Sequence, residues 1–212
     1  MTAKWPGAND NETLKRQQLI VDEAARRARG KRILNIGDTR KSYITKALGS
    51  KGFDVTTIDL FADADVVMDF DGKKFPDSLA GKFDCVTTGE IIEHLVYTDV
   101  FLDQIYRCLK PNGVLVMSFP NICCLKNRVK MLFGKFPTYG AAKLVHPQIH
   151  NDDKFHVRDF NLEKITEFLD AHRLRIESVS TNGIYVRDKL LLPGSVCPPT
   201  LGNQIVVTAM KK

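Results

Sequence analysis

Short β-branched segments alternate with amphipathic helical segments along much of the chain, and this alternation constrains the fold most strongly. Strands are predicted at residues 32–36, 54–58, 66–68, 83–87 and 114–118, with helices between most of them. Asn161 can cap a further helix, and two more strands are predicted at 174–180 and 204–209. Because strands alternating with helices join parallel neighbours, the pattern predicts a seven-stranded, mostly parallel α/β sheet with helices on both faces.

The size and composition of the chain favour one domain. Its 212 residues, 43% of them hydrophobic, suffice for one sizeable core. We predict a single domain over residues 1–212, with residues 1–30 as an N-terminal helical extension and residues 120–160 as a cap-like insertion. The apolar runs are shorter than a membrane span, the start lacks an apolar signal region, and the five cysteines form no C-x-x-C pair. We therefore expect a cytoplasmic protein that does not associate with membranes.

The net charge of +6 is concentrated in the N-terminal quarter of the chain. Residues 1–50 contain eleven Lys or Arg and five Asp or Glu, whereas the remaining residues balance. The cluster at residues 26–32 falls at the end of a predicted helix, where cations offset the negative pole of the helix dipole. A patch for nucleic acid or another polyanion is the alternative. Because no aromatic residues are interleaved with these cations, nucleic acid is the less favoured partner.

Polar residues follow the predicted strands in the order found in nucleotide-binding α/β sheets. Gly37 follows the first strand, Asp59 follows the second and Asp69 follows the third. Carboxylates at such positions accept hydrogen bonds from the hydroxyl and amino groups of an adenosine. Both aspartates could instead cap turns, above all Asp69, which precedes the Asp71-Gly72 pair. The order of these residues predicts an adenosine pocket at the sheet edge.

Two later segments carry a family resemblance. The segment Phe83-Asp-Cys-Val-Thr-Thr-Gly-Glu-Ile-Ile-Glu-His-Leu95 is followed by Leu109-Lys-Pro-Asn-Gly-Val-Leu-Val-Met-Ser118. In residues and in spacing, both resemble the class I S-adenosylmethionine-dependent methyltransferase superfamily. The resemblance implies the Rossmann-like seven-stranded fold of that superfamily and S-adenosyl-L-methionine as the cofactor.

A narrower resemblance links the chain to one subgroup. The MetW-like and methyltransferase type 11-like proteins are similar at Ser118-Phe-Pro-Asn121, Asn127-Arg128, Leu132-Phe-Gly134, Pro137, His150 and Arg158-Asp-Phe160. This resemblance implies methyl transfer to a small or medium-sized acceptor. It equally implies an alternative, a noncatalytic or cofactor-binding partner of an acyltransferase in methionine biosynthesis. A nucleic-acid methyltransferase that uses the basic N-terminal helix is a third hypothesis.

The resemblance assigns the cofactor contacts to the strand ends. The first loop departs from the family pattern, acidic-x-Gly-x-Gly-x-Gly, because it reads Asn35-Ile-Gly37-Asp-Thr39-Arg-Lys41. Asn35 lacks the carboxylate that pairs with an ammonium group, and Thr39 lacks the conformational freedom of glycine, while Lys41 could bond the cofactor carboxylate. The expected cofactor contacts are Asn35, Gly37, Thr39, Asp59, Leu60, Asp69, Phe70, Thr88, Gly89 and Glu90.

The chemistry of methyl transfer asks little of side chains. Transfer from a sulfonium is an in-line displacement, so positioning in a dry site supplies much of the acceleration. A general base is needed only for a protonated acceptor, and the catalytic candidates are His150 and His156. The candidate substrate-binding residues are Asn121, Arg128 and Arg158, since a guanidinium can orient an anionic group bidentately.

Two further histidine-containing patterns receive structural interpretations. The loop that contains His146, His150, His156, Asp152 and Asp153 matches no metal-ligand pattern, so no metal site is expected. Glu93 and His94 are expected to tie the following helix to the loop after the fourth strand, with catalysis by His94 as the alternative.

Overall fold

The computed structural model describes residues 11–137 and 156–212. Its helices are α1 Asn11–Arg27, α2 Tyr43–Ser50, α3 Thr98–Cys108, α4 Leu125–Leu132 and α5 Leu162–Ala171. Its strands are β1 Arg32–Ile36, β2 Asp54–Asp59, β3 Val66–Val67, β4 Phe83–Gly89, β5 Leu109–Pro120, β6 Leu174–Thr181, β7 Gly183–Val186, β8 Lys189–Pro193 and β9 Gln204–Lys211. Within the described ranges, no helix combines the length and the apolar character needed to cross a membrane.

Seven strands form one sheet in the order β3-β2-β1-β4-β5-β9-β6. The five strands from β3 to β5 pair in parallel, whereas β9 pairs antiparallel with both β5 and β6. This is the seven-stranded, mostly parallel sheet that the sequence predicts. Its order reverses at β1 and β4, where the carboxyl ends of the strands open a crevice for ligands.

Helices cover both faces of the sheet, as predicted. Ile33 and Leu34 are adjacent in β1, and their side chains belong to two different core clusters because successive strand residues face opposite sides. One cluster contains Ile20 of α1 and Leu48 of α2, and the other contains residues of α3 and α5, including Phe101. Asn161 caps α5 as expected, since its side chain accepts a hydrogen bond from the amide of residue 164.

A two-stranded hairpin lies between β6 and β9, where the sequence analysis predicts no strand. The strands β7 and β8 pair antiparallel and are joined by Arg187 and Asp188 alone. Both residues have positive φ, 49° and 62°, as a two-residue hairpin turn requires. Asn-Gly and Asp-Gly are the usual signals for such a turn, so the Arg-Asp pair concealed it.

We expect Arg187→Asn to stabilise the protein by roughly 0.5–1 kcal/mol, because Asn tolerates the left-handed conformation better than Arg does. Urea unfolding measures the change in the free energy of unfolding. Lys189→Asn is the matched control, because Lys189 is exposed and lies in β8 with ordinary strand geometry. An equal gain in both variants would contradict the turn-strain explanation.

Several sequence predictions lie outside the described residues. These include His146, His150, Asp152 and Asp153, as well as the centre of the predicted cap. The catalytic assignment of His150 and the cap over residues 120–160 therefore stay predictions.

Candidate functional site

The carboxyl ends of β1, β2 and β4 bring the predicted strand-end residues together. Ile36 of β1 lies opposite Ile58 of β2 on one side and opposite Thr88 of β4 on the other. The residues that follow these positions therefore meet at one edge of the sheet. They are Gly37 in the first loop, Asp59 at the end of β2, and Gly89 with Glu90 at the end of β4.

Gly37 is required where the first loop passes the loop after β4. Its φ is +76°, and its amide donates to the carbonyl of Ile58 at 2.8 Å. A Cβ at this position would lie 2.2 Å from the Cδ1 atom of Ile91, so any other residue would clash as well as strain the backbone. The backbone of the first loop can thus approach a ligand closely at this one position.

Asn35 organises the first loop instead of pointing a free amide into it. Its Nδ2 donates to the Asp38 carboxylate at 2.8 Å and to the Thr45 hydroxyl at 2.9 Å, and its Oδ1 accepts from the Thr87 hydroxyl at 2.9 Å. Both amide hydrogens are therefore in use, and a cofactor contact through Asn35 stays an untested prediction. The effect of these bonds is to fix the position of Asp38.

Asp38 is a functional candidate that the sequence analysis missed. Its carboxylate also accepts from the amide of Thr39 at 3.0 Å. Burial raises the pKa of the Asp38 carboxyl, although hydrogen bonds from Ser42, Asn35 and Thr39 oppose the shift and nearby Asp59 adds to it. Among the described residues, no Lys or Arg side chain pairs with this half-buried carboxylate. The Gly-Asp-Thr order could have identified it, because it places an acid directly after the first glycine, three residues from the position where the family pattern has one.

The other changed positions of the first loop are held by the loop after β2. Arg40 pairs with Asp65 at 2.6 Å, and Asp65 also accepts from the amide of Thr57 at 2.8 Å. The Lys41 ammonium lies 3.7 Å from the carboxylate of Asp63 and is largely exposed. Charged contacts between neighbouring loops therefore fasten a segment that glycines shape in the family pattern.

The predicted adenosine contacts differ in their surroundings. Asp59 is buried, its carboxylate accepts from the amide of Phe61 at 3.1 Å, and burial raises its pKa. Asp69 is exposed, accepts from the amide of Asp71 and pairs with Lys73 at 3.0 Å, which lowers its pKa. Both carboxylates therefore also serve the turns that the sequence offered as their alternative role.

The apolar neighbours of these two carboxylates also differ. Leu60 is 62% exposed, so its side chain is open to a ligand at the sheet edge. Phe70 is buried and stacks on Phe101 with ring centroids 5.9 Å apart. Phe70 thus belongs to the core beneath the loop, and a direct cofactor contact by it remains a prediction.

The end of β4 presents an unusual backbone. Glu90 has a positive φ of 57°, and its amide donates to the carbonyl of Ser118 at 3.1 Å. Its carboxylate accepts from the Ser118 hydroxyl at 3.4 Å and from the Gln204 side chain at 3.2 Å. Thr88 lies two residues before Glu90 and is buried, and its hydroxyl has no hydrogen-bond partner in the described part of the chain. A left-handed glutamate at this place is the kind of local strain that marks functional sites.

Arg16 is a second functional candidate that sequence reasoning missed. It projects from α1, its side chain is 9% exposed, and its Nε lies 4.0 Å from a carboxylate oxygen of Glu90. Its Nη1 donates to the Ser118 hydroxyl at 3.3 Å, and a Cβ on Gly89 would lie 2.7 Å from that nitrogen. Burial raises the pKa of Glu90, and the Arg16 charge opposes that shift. A helical pattern gives no signal for Arg16, because arginines on helices are usually solvated.

A second polar cluster lies just beyond Glu90. Glu93 is 1% exposed, and its backbone carbonyl accepts from the amides of Val157 and Arg158 at 2.8 and 3.1 Å. The rings of His94 and His156 meet edge to face with centroids 4.9 Å apart. Burial, reinforced by the nearby His94, lowers the pKa of His156 to about 4. Burial and the neighbouring Glu90 raise the pKa of Glu93 well above its usual value.

The predicted substrate-binding residues are engaged with backbone groups. Asn121 is fully buried and donates to the carbonyls of Thr200 and Gly202. Arg128 donates to the carbonyls of Cys123 and Thr200, and Arg158 donates to that of residue 96 at 2.9 Å. Substrate binding by these three residues is thus untested, and Asn121 would have to give up tertiary hydrogen bonds to take part.

The strand order and the loops at the carboxyl edge define the class of protein: this is the fold of the class I S-adenosylmethionine-dependent methyltransferases. A 1,6-didemethyltoxoflavin-N1-methyltransferase of Burkholderia thailandensis, solved with S-adenosylhomocysteine, is similar with a TM-score of 0.61 and 15% identity over 95% of this chain and 80% of that one. A SAM-dependent methyltransferase of Archaeoglobus fulgidus is similar with a TM-score of 0.56 and 14% identity over 92% and 94%. Because the sequence identities are this low, the similarity to these two structures shows a shared fold and no more.

The family follows from the sequence as a whole. The model of the methyltransferase domain family matches residues 11–174, and the chain belongs to that family. Mitochondrial ubiquinone biosynthesis O-methyltransferase of Mus musculus is 28% identical over 104 residues, which are 49% of this chain. The match covers only 26% of that relative. The chain is thus a methyltransferase-domain protein, and the MetW-like subgroup stays a prediction.

Proposed function

We propose that this protein transfers a methyl group from S-adenosylmethionine to a small or medium-sized acceptor molecule. The observation that carries the proposal is the convergence of Gly37, Asp59 and Gly89 at one sheet edge, beside the half-buried carboxylate of Asp38. A glycine for close backbone approach and acceptors for hydroxyl and ammonium groups are what this cofactor requires.

The amino-acid end of the cofactor would face Asp38. An ammonium group needs a carboxylate partner, and the usual acidic position is taken by Asn35. Asn35 and Thr39 hold the Asp38 carboxylate through two hydrogen bonds, and burial without a cationic neighbour raises its pKa. A bound ammonium would supply the missing positive charge. We therefore assign to Asp38 the pairing role that the sequence pattern leaves vacant at Asn35.

The adenosine end of the cofactor would lie over β2. The Asp59 carboxylate uses one oxygen to accept from the amide of Phe61, which leaves acceptor capacity for the two ribose hydroxyls. Exposed Leu60 beside it offers an apolar surface for the adenine ring. The reacting methyl would then lie above Thr88, Gly89 and Glu90, next to the Arg16 side chain.

Two observations favour a small-molecule acceptor over nucleic acid. The ubiquinone O-methyltransferase relative acts, by its name, on a small molecule, although the match covers a quarter of its length. The basic cluster at residues 26–32 lies at the amino ends of the strands, opposite the candidate site. Arg26 and Arg27 there pair with Glu23, and Arg32 lies 3.9 Å from Asp54. This fits the helix-end role of these cations.

Calorimetric titration with S-adenosylhomocysteine tests the proposal. We expect one site per chain, and Asp59→Ala should weaken binding on the order of 10- to 100-fold, or about 1.5–3 kcal/mol for hydrogen bonds to a charged group. Asp54→Ala is the matched control at the opposite end of β2, where the side chain is 73% exposed. Absence of binding to folded wild type would refute the enzyme hypothesis. Binding without turnover on any acceptor would favour the noncatalytic partner role instead.

A further inference from the structure

The side chains of Glu93, His94 and His156 form a cluster with the composition of a metal site. Each offers one ligand atom, and these atoms all lie within 4.8 Å of one another. The cluster joins two parts of the chain that are distant in sequence, the short helical turn Ile92–His94 and His156. Two imidazoles and one carboxylate are a ligand set that suits zinc and related transition metals.

Two residues of the cluster, Glu93 and His156, have buried polar atoms without the partners that such atoms normally have. Within the described ranges, neither carboxylate oxygen of Glu93 accepts a hydrogen bond, although that side chain is 1% exposed. The Nδ1 atom of His156 is also buried without a hydrogen-bond partner in the described ranges. Buried polar groups are nearly always satisfied, so such a group calls for an explanation such as an ion.

The backbone holds the two segments together independently of these side chains. The amides of Val157 and Arg158 both donate to the carbonyl of Glu93, at 2.8 and 3.1 Å. The Arg158 guanidinium donates to the carbonyl of Val96 at 2.9 Å. These hydrogen bonds hold the backbone next to His156 against Glu93, so the three side chains lie close together because of the fold.

We propose that Glu93, His94 and His156 bind one divalent transition-metal ion of the Zn²⁺ class. In a tetrahedral site with bonds of about 2.0–2.2 Å, the ligand atoms are about 3.3–3.6 Å apart. His94 Nε2 and Glu93 Oε1 are now 3.9 Å apart, and the His94 side chain is 29% exposed, so a small rotation closes the cluster around an ion. Three protein ligands leave a coordination position for water or an acceptor oxygen.

The test is a titration of metal-free protein with Co²⁺, which reports its ligands through visible absorption bands, followed by competition with Zn²⁺. We expect one ion per chain, a spectrum of low coordination number, and displacement by Zn²⁺. Glu93→Gln and His156→Ala should each weaken Co²⁺ binding by more than about tenfold, which is 1.4 kcal/mol. His94→Asn is a third variant at a partly exposed position and should weaken binding in the same way.

His172→Gln is the matched control. The ring of His172, which follows the last residue of α5, also lies near carboxylates: its Nε2 is 3.6 Å from Asp99 and 4.0 Å from Asp103, both in α3 and neither in the cluster. We expect unchanged Co²⁺ affinity in this variant. Absence of Co²⁺ binding to wild type, or unchanged affinity in any folded variant of the three ligands, would overturn the proposal. Because the titration measures metal alone, its outcome is independent of whether S-adenosylmethionine binds.

Discussion

Asp38→Asn will weaken the binding of S-adenosylmethionine by at least about tenfold and leave the binding of 5′-methylthioadenosine unchanged. The two ligands share the adenosine, but the second lacks the amino-acid group whose ammonium we assign to Asp38. A charge-assisted hydrogen bond contributes about 1.5–3 kcal/mol, so the loss should be measurable by calorimetry. The Asn side chain has one acceptor oxygen and can keep the bond from the Thr39 amide, while Asn35 Nδ2 keeps its bond to the Thr45 hydroxyl. The binding of 5′-methylthioadenosine therefore also reports whether the loop keeps its geometry.

The comparison of the two ligands separates the possible outcomes. Equal losses for both would mean that Asp38 maintains the loop and does not pair with the ammonium. Unchanged binding of both would remove Asp38 from the site, and failure of wild type to bind either would reject the cofactor itself. Asp54→Asn makes the same chemical change at the opposite edge of the sheet and should affect neither ligand.

Arg16→Met will lower the free energy of unfolding by about 2–3 kcal/mol, because it leaves the partly buried carboxylate of Glu90 without its cation. Arg16 Nε lies 4.0 Å from Glu90, and Arg16 also donates to Ser118. The double variant with Glu90→Gln should regain part of the loss, since it removes both charges together. Urea unfolding of the single and double variants measures this coupling.

Arg26→Met is the control for the Arg16 experiment. Arg26 lies on the same helix, is 58% exposed, and pairs with Glu23 at the surface, so its loss should cost less than about 1 kcal/mol. A double variant no more stable than Arg16→Met would contradict electrostatic coupling between Arg16 and Glu90. The large loss would then arise from the packing of the arginine stem.

The sheet could be predicted from the sequence because each of its strands is a short run of apolar and β-branched residues that can be recognised without knowledge of the fold. β1 and β4 are apolar runs buried on both faces, and their carboxyl ends are followed by Gly37 and Glu90, so the edge that holds the site follows from strand order alone. The β7–β8 hairpin could not be predicted in this way. Its turn residues, Arg187 and Asp188, adopt a conformation that their side chains do not favour, and tertiary contacts impose it.

The missing site residues were hidden for a different reason. Asp38 stands at a position that the family pattern leaves variable, so the pattern assigns no role to its carboxylate. Arg16 lies on a helix whose buried side is predicted from its apolar residues, and its partner Glu90 is far along the chain. The pairing of Glu93 with His156 needs the backbone contacts of two distant segments. Contacts between residues so far apart in sequence depend on the three-dimensional structure, and no regular spacing in the sequence predicts them.

The contacts of Glu90 also bear on how the molecule folds. Arg16 donates a hydrogen bond to Ser118, a neighbour of Glu90 that is 102 residues away in sequence. Gln204 of β9 donates to Glu90 itself, which is 114 residues away. Contacts between such distant residues form late, because long loops must close before any interaction compensates for the lost entropy. We therefore expect the carboxylate at the end of β4 to gain Arg16 and Gln204 as partners only after α1 and β9 have joined the parallel strands. Hydrogen exchange should find this corner among the last parts of the molecule to become protected during refolding.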